Sequence, residues 1–168
     1  MTETMSRAEE TWADPCGAGD PYDLSCLMAQ ASRGHRVLLA SLLAEIDLYP
    51  GQDRALYMLW EHGPQSQNAL ARLLGIDVST MTKMLQRLER SGFVSRSPSP
   101  VNRRISIVST TPAGDALRPA LDRVGTELHA RMTRGLTPEQ VGTLVGLLGA
   151  VRGNLCREAG AGDDSCGV

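Results

Sequence analysis

Apolar side chains in the first quarter of the chain fall at Leu24, Leu27, Met28, Ala31, Leu38, Leu39, Leu42 and Ile46. Spacings of three, four or seven residues put them on one side of a helix, which predicts a long first helix from Tyr22 to Ile46. Pro50-Gly51 breaks it, a second helix spans Gln52 to His62, and Gly63-Pro64 stops that one. From Gln67 to Gly92 the pattern predicts two helices joined by a tight turn. Ala71 is small enough for them to cross closely, and Gly75 supplies the positive φ that a sharp turn needs. In the second of the pair, Met81, Met84, Leu85 and Leu88 make an apolar underside. Ser79, Thr80, Thr82, Lys83, Gln86 and Arg87 occupy the other side.

After Gly92, a natural helix terminator, Phe93–Arg96 and Arg104–Ser109 predict two short strands. Pro98, Ser99, Pro100 and Asn102 form the hairpin loop between them. Thr111-Pro112 and Thr137-Pro138 each open a helix with a hydroxyl cap followed by proline, and Gln140 completes a capping box with Thr137. Pro119 within the first of these two helices predicts a kink or a late start. The last helix carries an apolar stripe of Val141, Leu144, Val145, Leu148, Val151 and Leu155. The fold class is therefore mainly α with a small β-hairpin.

The 168 residues suffice for one domain with a core of useful size. With aromatics at only 4%, that core must be built from Leu, Val, Met and Ala. No apolar run is long enough to span a membrane, and the polar, acidic start lacks the apolar segment of a secretion signal. A cytoplasmic location is expected. Residues 1–20 and 158–168 read as disordered tails.

A net charge of −2 argues against nucleic acid until it is mapped. Between Pro64 and Thr110 lie Arg72, Lys83, Arg87, Arg90, Arg96, Arg103 and Arg104, against only Asp77 and Glu89, so this stretch carries +5 and the remainder −7. A solvated basic surface is the plainer explanation. The coincidence with the helix pair favours a phosphate-binding face instead, with the acidic remainder limiting unspecific adhesion. The polar side of residues 79–87 is then free to enter a DNA major groove: Lys and Arg suit guanine edges, Gln suits adenine, and hydroxyls suit a base or a phosphate. Arg103 and Arg104 in the hairpin are placed for a minor groove or the backbone.

No Gly-x-Ser-x-Gly, phosphate loop, His-Glu-x-x-His or paired-carboxylate frame is present, so an enzyme is not expected. Cys16 and Cys166 fall in the tails, and Cys26 and Cys156 on the terminal helices. A cytosolic chain keeps such thiols reduced, and without a Cys-x-x-Cys pair no metal site is expected. No cofactor is expected either. Two long apolar helix stripes with too little else to cover them predict a two-fold homodimer.

The order of elements resembles the multiple-antibiotic-resistance regulator (MarR) family of winged helix-turn-helix proteins. The resemblance is carried by Leu48-Tyr49-Pro50-Gly51-Gln52, Ser79-Thr80-Met81-Thr82-Lys83-Met84, Arg87-Leu88-Glu89-Arg90-Ser91-Gly92-Phe93-Val94, Arg103-Arg104 and Thr111-Pro112-Ala113-Gly114. It is close from Ile46 to Gly114. The chain departs from the family pattern at Asn102, where an acid usually precedes the wing arginines, and at Thr110, where an apolar residue is common.

The resemblance implies an N-terminal dimerisation helix (21–50), a winged helix-turn-helix DNA-binding lobe (51–111) and C-terminal dimerisation helices (112–157). It implies a dimeric transcriptional regulator, a repressor in this reading, whose partners are a palindromic double-stranded DNA operator and a small-molecule effector that releases it. DNA contacts are expected from Ser79, Thr80, Thr82, Lys83, Gln86, Arg87, Asn102, Arg103 and Arg104. His35, Trp60 and His62 are candidates for an effector pocket, although a Trp at position 60 is more often plain core, and a satisfied interface histidine is the better explanation of His35 on the apolar stripe. One branch of the family senses organic peroxides through a cysteine near the start of the first helix. Cys26, with Cys156 of the opposite subunit, is the corresponding redox candidate. A winged helix used only for protein docking is the rival of another class; it would lack the basic, hydroxyl-rich second helix.

Overall fold

The computed structural model describes residues 23–158. The tails expected at 1–20 and 158–168 lie, apart from Glu158, outside the described residues, and so do Cys16 and Cys166. In chain order the elements are α1 (Asp23–Ala44), α2 (Gln52–His62), β1 (Gln65–Ser66), α3 (Gln67–Leu74), α4 (Val78–Arg90), β2 (Val94–Pro98), β3 (Ser106–Thr110), α5 (Pro112–Asp115), α6 (Arg118–Met132) and α7 (Pro138–Glu158). Two units divide the chain, Met1–Val37 and Leu38–Val168. In the first, the described residues are the opening turns of α1. The second holds every element from the end of α1 onward.

Three helices of this second unit end by the same device. Past α1, the N–H of Leu48 reaches the carbonyl of Leu43 and that of Asp47 the carbonyl of Ala44. Past α3, Ile76 bonds to Ala71 and Gly75 to Arg72; past α4, Phe93 bonds to Leu88 and Gly92 to Glu89. This paired bonding satisfies the orphan carbonyls of a helix end, provided one residue takes a left-handed conformation. Gly75 (φ 63°) and Gly92 (φ 75°) do so at no steric cost, and Asp47 (φ 56°) does so as a short polar residue tolerant of that region. Each turn then directs an apolar residue back to the protein, and Leu48 is buried at 2% exposure.

The core of the second unit is built from these helices. Leu43, Leu56, Leu70, Met81, Leu85, Leu88 and Val108 are wholly buried, and among the described residues no aromatic side chain is buried with them. Leu, Met, Val and Ala therefore fill the core, as the low aromatic content requires. Ala71 is buried beside Leu70 and Leu74 on α3.

The sheet has order β1-β3-β2 and is antiparallel throughout. Its hairpin pairs Val94 with Thr110 and Pro98 with Ser106, so both strands begin and end one to two residues later in the chain than predicted. β1 is a third strand that the sequence pattern does not announce, because two residues carry no alternation. It pairs Gln65 with Val108 and Ser66 with Ile107, and Ser66 then caps α3 by accepting from the N–H of Ala69. One short segment thus fixes both the sheet edge and the start of the helix pair.

Thr111 caps α5 as expected, accepting from the Gly114 N–H at 3.1 Å while donating to the Gly92 carbonyl at 2.6 Å. Gly114 lies so close to the Phe93 backbone that a Cβ would overlap the Phe93 carbonyl oxygen. Pro119 does force a late start: the chain turns after α5, and α6 begins with Pro119 in its first turn. Two side-chain bonds join α2 to the following helices. The Tyr57 hydroxyl donates to Asp122 at 2.9 Å and the Trp60 indole donates to Asp115 at 3.0 Å. Burial and the Asp122 carboxylate push the Tyr57 phenol up to about 12, so it remains a donor at neutral pH. The Thr137–Gln140 capping box forms reciprocally, at 2.8 and 3.3 Å.

The close approach at Gly114 generates a prediction. Gly114→Ala should destabilise the fold by about 1–3 kcal/mol, the usual cost of forcing atoms into filled space, read as a lowered midpoint in urea. An unchanged midpoint would show that the Phe93–Thr111 junction is not tight.

Candidate nucleic-acid interface

The presentation of α4 begins at its cap. Asp77 accepts from the Thr80 N–H at 2.8 Å and from the hydroxyls of Ser79 at 2.5 Å and Thr80 at 2.6 Å. The Ser79 bond first, and then those from Thr80, hold its carboxyl well below the usual carboxylate range. Two of the predicted DNA-binding hydroxyls are therefore spent as donors within the cap and keep only their lone pairs for a ligand.

Beyond the cap, α4 is divided between two environments. Met81, Leu85 and Leu88 are wholly buried, whereas Lys83, Gln86 and Arg87 are exposed. Thr82, predicted to project outward, is half-buried and occupied: its hydroxyl donates to the Val78 carbonyl at 2.7 Å and accepts from the Gln67 amide at 2.6 Å. The outward face thus centres on Lys83, Gln86 and Arg87.

The turn before α2 adds to this face a residue that was not among the expected site residues. The Tyr49 N–H donates to the buried Gln52 side chain at 2.8 Å, and the Gly51 N–H donates to Asp53 at 2.8 Å. With its backbone held in this way, Tyr49 remains 61% exposed and its ring lies 5.5 Å from the Arg87 guanidinium. That is within cation–π range. Tyr49, Pro50, Gln52, Thr80, Lys83, Met84 and Arg87 line a cavity of about 230 Å³. Tyr49 stands in the stretch that carries the family resemblance, but no local signal places it beside Arg87, 38 residues away in sequence.

The wing tip is a set of nested turns. Ser99 N–H donates to the Ile105 carbonyl at 2.8 Å, Ile105 N–H to the Asn102 carbonyl at 2.9 Å, and Arg104 N–H to the Asn102 side chain at 3.0 Å. Asn102 therefore shapes the turn with the side chain that was expected to meet DNA, while Arg103 and Arg104 are exposed beside it. At the wing base a second unanticipated residue, Arg96, is ion-paired with Glu89 at 3.3 Å.

The remaining candidates are scattered. Trp60 is engaged with Asp115, stands edge-on to Tyr57 at 5.3 Å and has Arg118 over its ring at 5.6 Å. His62 is exposed at the end of α2, and His35 is half-buried in the first unit. None of the three lines the cavity beside α4. Cys26 and Cys156 are both disulfide-bonded. This corrects the expectation of reduced thiols, which rested on compartment alone and not on where the chain carries the sulfurs. Among the described residues no group of His, Cys, Asp and Glu could hold a metal ion, and no helix is long and apolar enough to cross a membrane.

A capped helix with a buried underside and a basic exposed face, followed by a hairpin ending in arginines, defines a winged helix-turn-helix DNA-binding protein. The MarR family model matches residues 48–106. The multiple antibiotic resistance protein MarR of Salmonella typhimurium is 33% identical over 112 residues, covering 66% of this chain and 78% of the relative. The HTH-type transcriptional repressor IacR of Pseudomonas putida is 34% identical over 114 residues, covering 68% of each. The organic hydroperoxide resistance transcriptional regulator of Bacillus subtilis is 32% identical over 106 residues, covering 62% of this chain and 72% of the relative. Among solved structures, a mutant MarR from E. coli complexed with operator DNA matches with a TM-score of 0.70 at 29% identity, over 79% of this chain and 98% of that one. The chain belongs to the MarR family of transcriptional regulators.

The cap at Asp77 gives a pH prediction. A folded pKa held below the ordinary 3.8 stabilises the native state above that value and loses its contribution as pH falls through the depressed pKa. Asp77→Asn keeps an acceptor that does not titrate. The melting-temperature advantage of wild type over Asp77→Asn should be present at pH 6 and shrink below about pH 4. A constant difference across that range would mean the carboxylate is not the cap.

Proposed function

We propose that this regulator is a homodimeric repressor that binds a palindromic DNA operator through α4 and the wing, and that a small-molecule effector releases it. The observation carrying this reading is the division of α4, with Met81, Leu85 and Leu88 wholly buried and Lys83, Gln86 and Arg87 exposed. Lys83, Gln86 and Arg87 are the proposed readers of base edges, with Ser79 and Thr80 as acceptors at the helix start and Arg103 and Arg104 in the adjacent minor groove or on the backbone. Thr82 supports them through its bonds to Gln67 and Val78, and Asn102, exposed at the wing tip, accepts from the Arg104 N–H beside the wing arginines.

Dimerisation is supported by apolar side chains that the single chain leaves exposed: Leu24 and Leu27 on α1, and Leu144, Val145, Leu148 and Leu155 on α7. Burying such surface favours association with a second copy, and two copies of α4 would meet half-sites about one DNA turn apart. Residues 21–50 and 112–157 are thus the proposed dimerisation segments, and 51–111 the DNA-binding lobe. The repressor role is supported by the relative of that name. For the effector, the cavity walled by Lys83 and Arg87 is better supported than His35, Trp60 and His62. An anion seated there would occupy cations that the operator needs, and binding one state better than the other is the whole requirement for release.

A second reading is favoured by the disulfide-bonded state of Cys26 and Cys156 and by one relative's name as an organic hydroperoxide resistance transcriptional regulator: release by thiol oxidation. Operator affinity that is equal with and without peroxide, with no change in mobility on non-reducing gels, would remove it.

The main test is selection of bound sites from random DNA, followed by salt titration. Affinity should fall linearly with log salt. Lys83→Ala and Arg104→Ala should each weaken operator binding by about 1–3 kcal/mol, the scale of one specific contact. Sedimentation at micromolar concentration should give a dimer. A monomer there, or dissociation constants unchanged in both variants at fixed salt, would overturn the reading.

A further inference from the structure

Only Ser91, Gly92 and Phe93 separate α4 from β2, so the backbone joining the recognition helix to the wing is a short turn. Arg96 spans that turn. Its side chain, 23% exposed, leaves β2 and places Nε 3.3 Å from Glu89 Oε2 near the end of α4. Nη1 donates to Gln67 Oε1 at 3.4 Å. The Gln67 amide donates in turn to the Thr82 hydroxyl at 2.6 Å, and that hydroxyl donates to the Val78 carbonyl at 2.7 Å. One guanidinium on the wing thus grips α4 near its end directly and near its start by way of α3.

The pairing is also one the protein is held to. Nε and Nη2 of Arg96 are buried without a hydrogen-bond partner among the described residues, so the guanidinium is partly desolvated and Glu89 supplies its compensating charge. Withdrawing Glu89, whose own side chain is 43% exposed, leaves the partly buried guanidinium without its compensating charge, which is costlier than the pair itself. At the other end of the wing, the tip's hydrogen bonds among the described residues are internal turns. The direction in which Arg103 and Arg104 are carried is set at the base of the hairpin.

We propose that Arg96 is a positioning residue for DNA binding: through Glu89 and the Gln67–Thr82 bridge it fixes the angle between wing and α4, so that the wing arginines reach DNA when α4 lies in the groove. The proposal rests on the reading of α4 and the wing as the DNA-contacting surface. Arg96 acts here without touching the nucleic acid itself.

The experiment is a double-mutant cycle on an operator selected by the wild-type protein. It uses full-length chains whose folding is checked by circular dichroism melts. Its variants are Arg96→Ala, the pair Arg103→Ala with Arg104→Ala, and all three together. Arg96→Ala should weaken binding and flatten the plot of log affinity against log salt by as much as the wing pair does, about 0.9 for each phosphate no longer neutralised. In the wing-pair background it should cause no further loss, because its partners in function are already gone. Arg96→Lys, which keeps the Glu89 ion pair but cannot bridge to Gln67 as well, should fall between wild type and alanine. If Arg96→Ala does not fold, Gln67→Ala carries the same cycle, cutting only the bridge to Thr82.

Wild-type affinity in the foldable variant, or a loss that adds in full to that of the wing pair, would overturn the proposal. The two readings fail separately. If Lys83→Ala and the wing pair weaken binding while the Arg96 or Gln67 variant does not, only the positioning role falls. If none of them weakens binding, the DNA-contacting surface itself is wrong.

Discussion

Everything this protein can present to DNA depends on the burial of one helix face. Met81, Leu85 and Leu88 of α4 are wholly enclosed with Leu70, Ala71 and Leu74 of α3 in one apolar core. Burying each such large side chain is worth about 1.5–3 kcal/mol, far more than any single polar contact on the outer face. The rotation of α4 about its own axis is therefore not adjustable. Lys83, Gln86 and Arg87 are outside because turning them inward would require the apolar side to turn out.

Rotation alone does not make a reading head, and the polar groups around α4 supply the rest by dividing their labour. Asp77 fixes the first turn and accepts hydrogen bonds from the hydroxyls of Ser79 and Thr80. Thr82 and Gln67 bind α4 to α3. Tyr49 stands beside Arg87, adding a flat electron-rich surface that restricts a flexible guanidinium. Ordering a long side chain before it meets its ligand lowers the entropy lost on binding. Polar residues that look interchangeable along the helix thus fall into those that hold the scaffold and those that face outward.

Much of the fold was legible because its signals are local. Gly75 and Gly92 announce helix ends that only a left-handed residue can make, and the Thr-Pro pairs announce helix starts. The Thr137–Gln140 box forms as its spacing foretells. Elements lacking a local signal were not foreseen. β1 has two residues and exists only because β3 offers it an edge, and the left-handed turn at Asp47 carries no glycine to mark it.

The candidate site divides along the same line. Sequence alone determined which face of α4 is polar and basic, where the wing lies and which arginines it carries, because helical period, turn chemistry and charge are written in neighbouring residues. Only the tertiary structure decided that Thr82 is bound by Gln67 of α3, that Tyr49 joins Arg87 across 38 positions of chain, and that Arg96 pairs with Glu89 across the turn after α4. The physical reason is that a hydroxyl, amide or guanidinium has several possible partners of similar strength. The choice among them is made by whichever one the packed core brings within about 3 Å.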